Sequence, residues 1–235
     1  LIPLGLVIAL FYLGMCYHLW YIPAFLTGLL LVETAIKKIN FKWTILLFFI
    51  LYTIGSIETY SAYLTHTGIF SLYLAYTSIF FTSRNGVFFT PIFICMGYLL
   101  YHFRDHGFFT HNYDKKLLLA FVALCLEGAI IFPNQGMDKN FLFSLIPFTL
   151  FLFNWAIRTD WLKGENFYRL KQLSILYFFI HPIFIELLSF PSVSEMFDPL
   201  YFGWVTFFLT LFGTHCLSLL IMNLSNKFSQ LKASS

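Results

Sequence analysis

Apolar runs of about the length a membrane helix needs follow one another through this chain. Residues 19–36, 43–63, 86–103, 115–133, 141–157, 171–190 and 200–223 each read as a spanning segment, against a requirement of about 20 mainly apolar residues for a helix to cross the hydrocarbon. Only 11% of the 235 residues are charged, and mean hydropathy is +0.78. A soluble domain carries roughly 25% charged residues, so there are too few here to clothe a water-facing surface. Lipid must be the solvent for most of it, and backbone groups in lipid have to be satisfied within helices. The expected fold is therefore all-α, a polytopic transmembrane helix bundle of seven to eight spans forming a single transmembrane domain over 1–235. Residues 1–16 are apolar but short, and supply either the eighth span or an interfacial segment. Residues 68–82 are short and rich in Tyr, Ser and Thr, and are expected to lie at the interface without crossing.

Charge placement gives the orientation. With 68–82 on one side, Lys37, Lys38 and Lys42 share a face with Arg104, Lys115 and Lys116, then with Arg158, Lys163, Arg169 and Lys171, and finally with Lys227 and Lys232. That is twelve of the 14 Lys and Arg residues, leaving only Arg84 and Lys139 for the other face. Cytoplasmic loops carry the excess of Lys and Arg, so the crowded face is the cytosolic one and the protein belongs in a bacterial-type plasma membrane. The basic loops are short and scattered, which fits orientation signals and not nucleic-acid binding. Cys16, Cys95, Cys125 and Cys216 all sit inside apolar runs without a CxxC pair. They read as small hydrophobes, with no metal site implied. The chain opens at Leu1 within an apolar run, with no basic region or cleavage motif; further sequence is expected upstream.

This orientation ranks the polar residues at membrane depth. His18 lies at the outer mouth of the first clear span, beside Trp20. Glu58, Glu127 and Glu186 fall in the outer halves of three spans. A carboxylate in hydrocarbon costs roughly 2.5 kcal/mol or more and usually faces a bundle interior or a wet cavity. Arg84 and Asn85 directly precede an apolar helix, where free N–H groups and the dipole favour an anion or a developing oxyanion. His181, followed by Pro182, falls near the middle of 171–190. An outward cavity lined by these groups suits acid–base chemistry with oxyanion stabilisation. It suits recognition of a zwitterion such as an amino acid equally well.

Several segments resemble the acyltransferase-3 family of membrane O-acyltransferases. They are His18-Leu19-Trp20-Tyr21-Ile22-Pro23-Ala24, Arg84-Asn85-Gly86-Val87-Phe88-Phe89-Thr90-Pro91 with Met96-Gly97, Leu126-Glu127, and Ser174-Ile175-Leu176-Tyr177 leading to Ile180-His181-Pro182. They occur in family order from residue 18 to 182. Within the family, the wording is closest to the membrane domain of vancomycin-resistance serine/alanine racemases. The resemblance implies a bundle of about ten helices, of which this chain is a part. It implies transfer of an acyl group, commonly acetyl from acetyl-CoA or another acyl-CoA, to an outer hydroxyl on a cell-wall or surface glycan. The family's catalytic His and Arg of the first helix have no counterpart here. For the racemase subgroup it implies import of L-serine for a fused cytoplasmic domain outside this chain.

Two functions follow as expectations. In acyl transfer, His18 positions or deprotonates the acceptor, Arg84 and Asn85 stabilise the oxyanion, and Glu127 orients a partner group. Trp20, Glu58, His181 and Glu186 line the substrate site. In L-serine transport, Arg84 binds the carboxylate, and Glu127 or Glu58 the ammonium. Both need residues 84 and 38 on opposite sides of the membrane. Single-cysteine variants at these positions are expected to label from opposite compartments, and labelling from the same one overturns the orientation.

Overall fold

In a computed structural model the described residues are 20–160, 167–190 and 199–233. They form helices and turns, with no strand among them. The chain divides into two compact units, Leu1–Trp161 and Leu162–Ser235, and each is described by itself.

The first unit comprises α1 (Tyr21–Lys38), α2 (Phe41–Gly55), a 3-10 turn (Ser56–Glu58), α3 (Ser61–Leu64), α4 (Gly68–Phe80), α5 (Thr90–Phe103), α6 (Gly107–Thr110), α7 (Tyr113–Ile131) and α8 (Leu145–Arg158). Helix α5 packs on α1, α2 and α8, and α8 in turn on α7. The core where they meet holds Val32, Phe48, Tyr52, Ile92, Cys95 and Ile146, with Phe141 from the loop before α8. Elsewhere the large apolar side chains point outward, as at Leu30, Trp43, Leu119 and Ile130. That pattern suits a lipid solvent and would be a liability in water.

Small residues set the α1–α5 contact, as is usual where helices associate without a hydrophobic driving force. Thr90 donates its hydroxyl to the Ala24 carbonyl at 2.8 Å. A Cβ added at Gly28 would fall 2.2 Å from that hydroxyl oxygen, and one at Gly86 would fall 2.6 Å from the Ala24 carbonyl oxygen. The glycine of the Arg-Asn-Gly run is therefore a packing requirement.

The two ends of this unit differ in charge. One end carries Lys37 and Lys38 at the close of α1, Arg104 just past α5, and Arg158 at the close of α8; the Arg158 guanidinium donates to the Arg104 carbonyl. The opposite end holds the turn after α2 and the starts of α5 and α8. The α3–α4 excursion leaves and rejoins this second end. Ser61 donates to the Glu58 carbonyl at 3.0 Å, and the Ser83 N–H donates to the Glu58 carboxylate at 2.8 Å. A crossing of 68–82 would separate those flanks by about 30 Å of hydrocarbon.

The second unit pairs α9 (Phe167–Leu188), with Pro182 inside it, and α10 (Pro199–Ala233). The two helices pack along their length, and Gly213 leaves the space that the Phe184 ring fills.

Among the described residues, three helices are long and apolar enough to cross a membrane: Phe41–Glu58, Phe167–Leu188 and Tyr201–Ser225. Shorter apolar helices run over Gly68–Phe80, Thr90–Phe103 and Leu145–Arg158. Of the other expected spans, α1 carries Glu33, Lys37 and Lys38, and α7 carries Asp114, Lys115, Lys116 and Glu127. Residues 1–16 lie outside the described residues. Boundaries also move. The 86–103 and 141–157 runs become helical only at Thr90 and Leu145, because the residues before them are bonded into loops. Cys95 is buried, whereas Cys125 and Cys216 are exposed on their helices and do not pack into a core.

Gly28 and Gly97 lie in neighbouring helices but in opposite surroundings, since a Cβ at Gly97 meets nothing within 4 Å. Gly28→Ala is expected to lower stability by about 1–3 kcal/mol through overpacking. Gly97→Ala should be neutral or stabilising by up to about 1 kcal/mol through helix propensity. Thermal melts of the detergent-solubilised protein read both.

Candidate functional site

The end opposite the basic loops is a layer of turns pinned by two carboxylates. Glu58 closes the 3-10 turn that follows α2 and is buried. Its carboxylate accepts from the Ser83 N–H at 2.8 Å, from the Thr82 hydroxyl at 3.0 and 3.1 Å, and from the Ser83 hydroxyl. The Ser83 oxygen also lies 2.9 Å from the Gly55 carbonyl and 3.1 Å from the Tyr73 hydroxyl. A serine hydroxyl has one proton to give, so Tyr73 completes the set as donor to Ser83. Burial holds the Tyr73 phenol well above the ordinary tyrosine range, which keeps that proton in place. A buried charge is tolerable only when so paired with donors.

Glu127, near the close of α7, does the equivalent for α8. It accepts from the Phe143 and Ser144 N–H groups, each at 2.7 Å, and from the Tyr60 and Ser144 hydroxyls. Ser144 occupies the α8 N-cap without capping through its own side chain, and a carboxylate from the neighbouring helix takes up the amides of the cap and of the residue before it. The loop between α7 and α8 is tied to the turn after α2 as well. Met137 N–H donates to the Ser61 hydroxyl at 2.8 Å, Phe141 N–H to the Thr59 hydroxyl at 3.0 Å, and Tyr52 to the Leu142 carbonyl at 2.8 Å.

These pins place Arg84 and Asp138 side by side. Arg84 follows the Thr82–Ser83 segment that Glu58 holds, and its guanidinium stands 4.8 Å from the centre of the Trp20 ring, a cation–π distance. Asp138 follows Met137 in the tied loop. Its Oδ1 accepts from Lys139 N–H and from the backbone and side-chain nitrogens of Asn140. Its Oδ2 lies 4.0 Å from the Arg84 Nη1, with both side chains largely buried, at 15% and 11% exposure. At that separation the charges attract, but the distance exceeds a direct hydrogen bond, so a small polar group can bridge them. Asn85 is buried and builds the turn into α5. Its side-chain oxygen accepts from Val87 and Phe88 N–H at 2.9 and 3.2 Å, and its amide donates to the Thr82 carbonyl at 3.2 Å.

Of the sequence-predicted residues, Trp20, Glu58, Arg84, Asn85 and Glu127 share this layer of the first unit. His18 lies outside the described residues. His181 and Glu186 belong to the second unit. There the His181 Nδ1 lies 2.7 Å from the Tyr177 carbonyl oxygen, which makes Nδ1 the donor, and the Tyr177 hydroxyl pairs with His215. Glu186 is exposed on α9. Asp138 was missed. Its signal was available, as the one acid in a short loop on the face where Arg84 and Lys139 are the cations. Among the described residues no three His, Cys, Asp or Glu side chains stand together as a metal site.

The chain is 32% identical over 183 residues to the serine/alanine racemase of Enterococcus gallinarum, covering 77% of this chain and 26% of that protein. Two amino-acid racemases of Enterococcus faecalis match at 26% over 217 residues and 34% over 173, covering 91% and 69% of this chain. All three relatives are racemases by name. The chain spans less than a third of the length of each, with 30% the largest share. No family model and no solved structure matches it.

The two acid roles separate by mutation. Glu127→Gln puts an amide NH2 against a site where every partner is a donor, and should destabilise the protein by about 1–3 kcal/mol. Asp138→Asn keeps the Oδ1 acceptor and removes only the charge that faces Arg84 at 4.0 Å, so it should lower the melting temperature by less than Glu127→Gln does. Melts of the two variants in one detergent check this.

Proposed function

We propose that this chain is the membrane part of a serine/alanine-type amino-acid racemase, that it spans a bacterial plasma membrane with its basic loops in the cytosol, and that it carries a small amino acid, L-serine foremost, from the outer face inward. The Arg84–Asp138 pair is the observation that carries this reading. A zwitterion bears a carboxylate and an ammonium a few ångströms apart, and a guanidinium and a carboxylate held 4.0 Å apart match both charges. Arg84 takes the substrate carboxylate, in bidentate geometry where it fits, and Asp138 Oδ2 takes the ammonium. Trp20 lies over the guanidinium and excludes water from that side. The ammonium goes to Asp138 in preference to Glu58 or Glu127, because those carboxylates already hold the donors that shape the loops. The relatives' names agree, since a serine/alanine racemase acts on amino acids of this size.

Acyl transfer is the competing reading of the same residues. No relative reported above bears an acyltransferase name, and Asn85, needed as an oxyanion donor, directs its amide to the Thr82 carbonyl.

Uptake of labelled L-serine into proteoliposomes holding the full-length protein is expected to saturate. Arg84→Gln and Asp138→Asn should each weaken apparent affinity about tenfold or more, the equivalent of ~1.4 kcal/mol, and Asp138→Glu should recover part of it. Absence of saturable uptake, in a preparation that moves acyl groups onto surface glycans, overturns the transport reading in favour of acyl transfer.

A further inference from the structure

A groove runs along the first unit between α1, α5 and α8, from the edge of the Arg84 layer towards the basic end. Its volume is about 860 Å³, and its lining runs from Tyr21, Phe89 and Leu145 at one end to Tyr101, His102 and Arg104 at the other. The intervening walls are apolar, with Phe93, Ile94, Leu150 and Phe153 among them. Gly97 forms part of the lining, and the space beside it is open, with no heavy atom within 4 Å of where a Cβ would be. A second cavity of about 450 Å³ adjoins the basic end, sharing Leu100, Arg104 and Ile157, and adds Tyr113, Asn154 and Arg158.

Chemistry changes along this length in one direction. Most of the groove offers mainly hydrocarbon contact. The final stretch offers two guanidiniums, with Asp105 the one acid among its lining residues. Arg104 is a well-exposed cation, its side chain 62% accessible while touching Asp105. Arg158 is oriented by Asn154, which accepts from its Nε at 3.0 Å. A ligand that fits both parts has a long apolar chain and an anionic head. Helix α5, with 14 residues, rises about 21 Å, which exceeds the ~15 Å of one leaflet's hydrocarbon. A whole acyl chain can therefore lie along it. The basic end is the cytosolic one under the orientation proposed above, and the cytoplasmic leaflet is where anionic lipids concentrate.

We infer that the α1–α5–α8 groove binds one anionic phospholipid of the cytoplasmic leaflet, its acyl chain lying past Gly97 and Leu150 and its phosphate held by Arg104 and Arg158. The lipid completes the wall that α5 presents to α1 and α8. This inference stands on the groove and its basic mouth, not on the transport reading.

Gly97→Leu fills the groove without a backbone clash, and Arg104→Gln removes the exposed cation. The full chain is reconstituted in nanodiscs of phosphatidylglycerol and phosphatidylcholine, extracted into detergent, and examined by native mass spectrometry. Wild type should retain one phosphatidylglycerol in preference to phosphatidylcholine. Arg104→Gln should lower that preference about five-fold, as expected for one basic group at a lipid surface. Gly97→Leu should lose the lipid while keeping its melting temperature. Inorganic phosphate at millimolar concentration should leave the bound lipid in place, because the chain supplies most of the contact. Equal retention of the two lipids by wild type, or undiminished retention by Gly97→Leu, overturns the proposal. Stoichiometric displacement by palmitoyl-CoA, bound more tightly than phosphatidylglycerol, also overturns it and assigns the groove to a thioester ligand.

Discussion

Two carboxylates placed where water is scarce, Glu58 and Glu127, organise the first unit. Each is surrounded by donors from backbone and hydroxyl groups. In a low-dielectric setting an ionised carboxylate is stable only with such a set, and each donor is correspondingly hard to remove. The consequence is mechanical. Glu58 fixes where the chain returns after the α3–α4 excursion, and Glu127 fixes where α8 begins. The intervening loops have no regular secondary structure of their own to satisfy their amides, and take their shape from these acceptors.

The Arg84–Asp138 pair is a by-product of that pinning. Arg84 and Asp138 sit on different loops, 54 positions apart in the chain, and neither is held by a helix. Arg84 follows the two residues that cap Glu58, while Asp138 follows the residue that bonds Ser61. Loops carried on a rigid scaffold are where binding residues concentrate. Here the scaffold is an ionic one, set by carboxylates whose own charges are already engaged. Glu58 and Glu127 thus hold the loops in place, and Arg84 and Asp138 face each other across 4.0 Å.

Much of the helical architecture was legible because apolar run length and Lys/Arg placement are local signals. The short, hydroxyl-rich 68–82 segment could be read as an excursion on the same grounds. Helix starts were less legible. Apolar composition continues through Val87–Phe89 and Phe141–Phe143, yet these residues are held in turns by Asn85, Thr59 and Glu127, and two of those three lie far away in sequence. For the site, rarity of charge in apolar sequence pointed to Glu58, Arg84 and Glu127 together. It could not distinguish an acid saturated by donors from one turned toward a cation, so Asp138 was passed over as an ordinary loop residue.

The sequence by itself determined that this chain is helical and suited to lipid, and that the basic residues of the first unit gather at one end, because burial of apolar length and the placement of basic residues depend on composition along the chain alone. Tertiary structure decided which acid does what. The energy of a carboxylate at membrane depth depends on the donors within about 3 Å of it, and those donors come from loops brought together only when the helices pack.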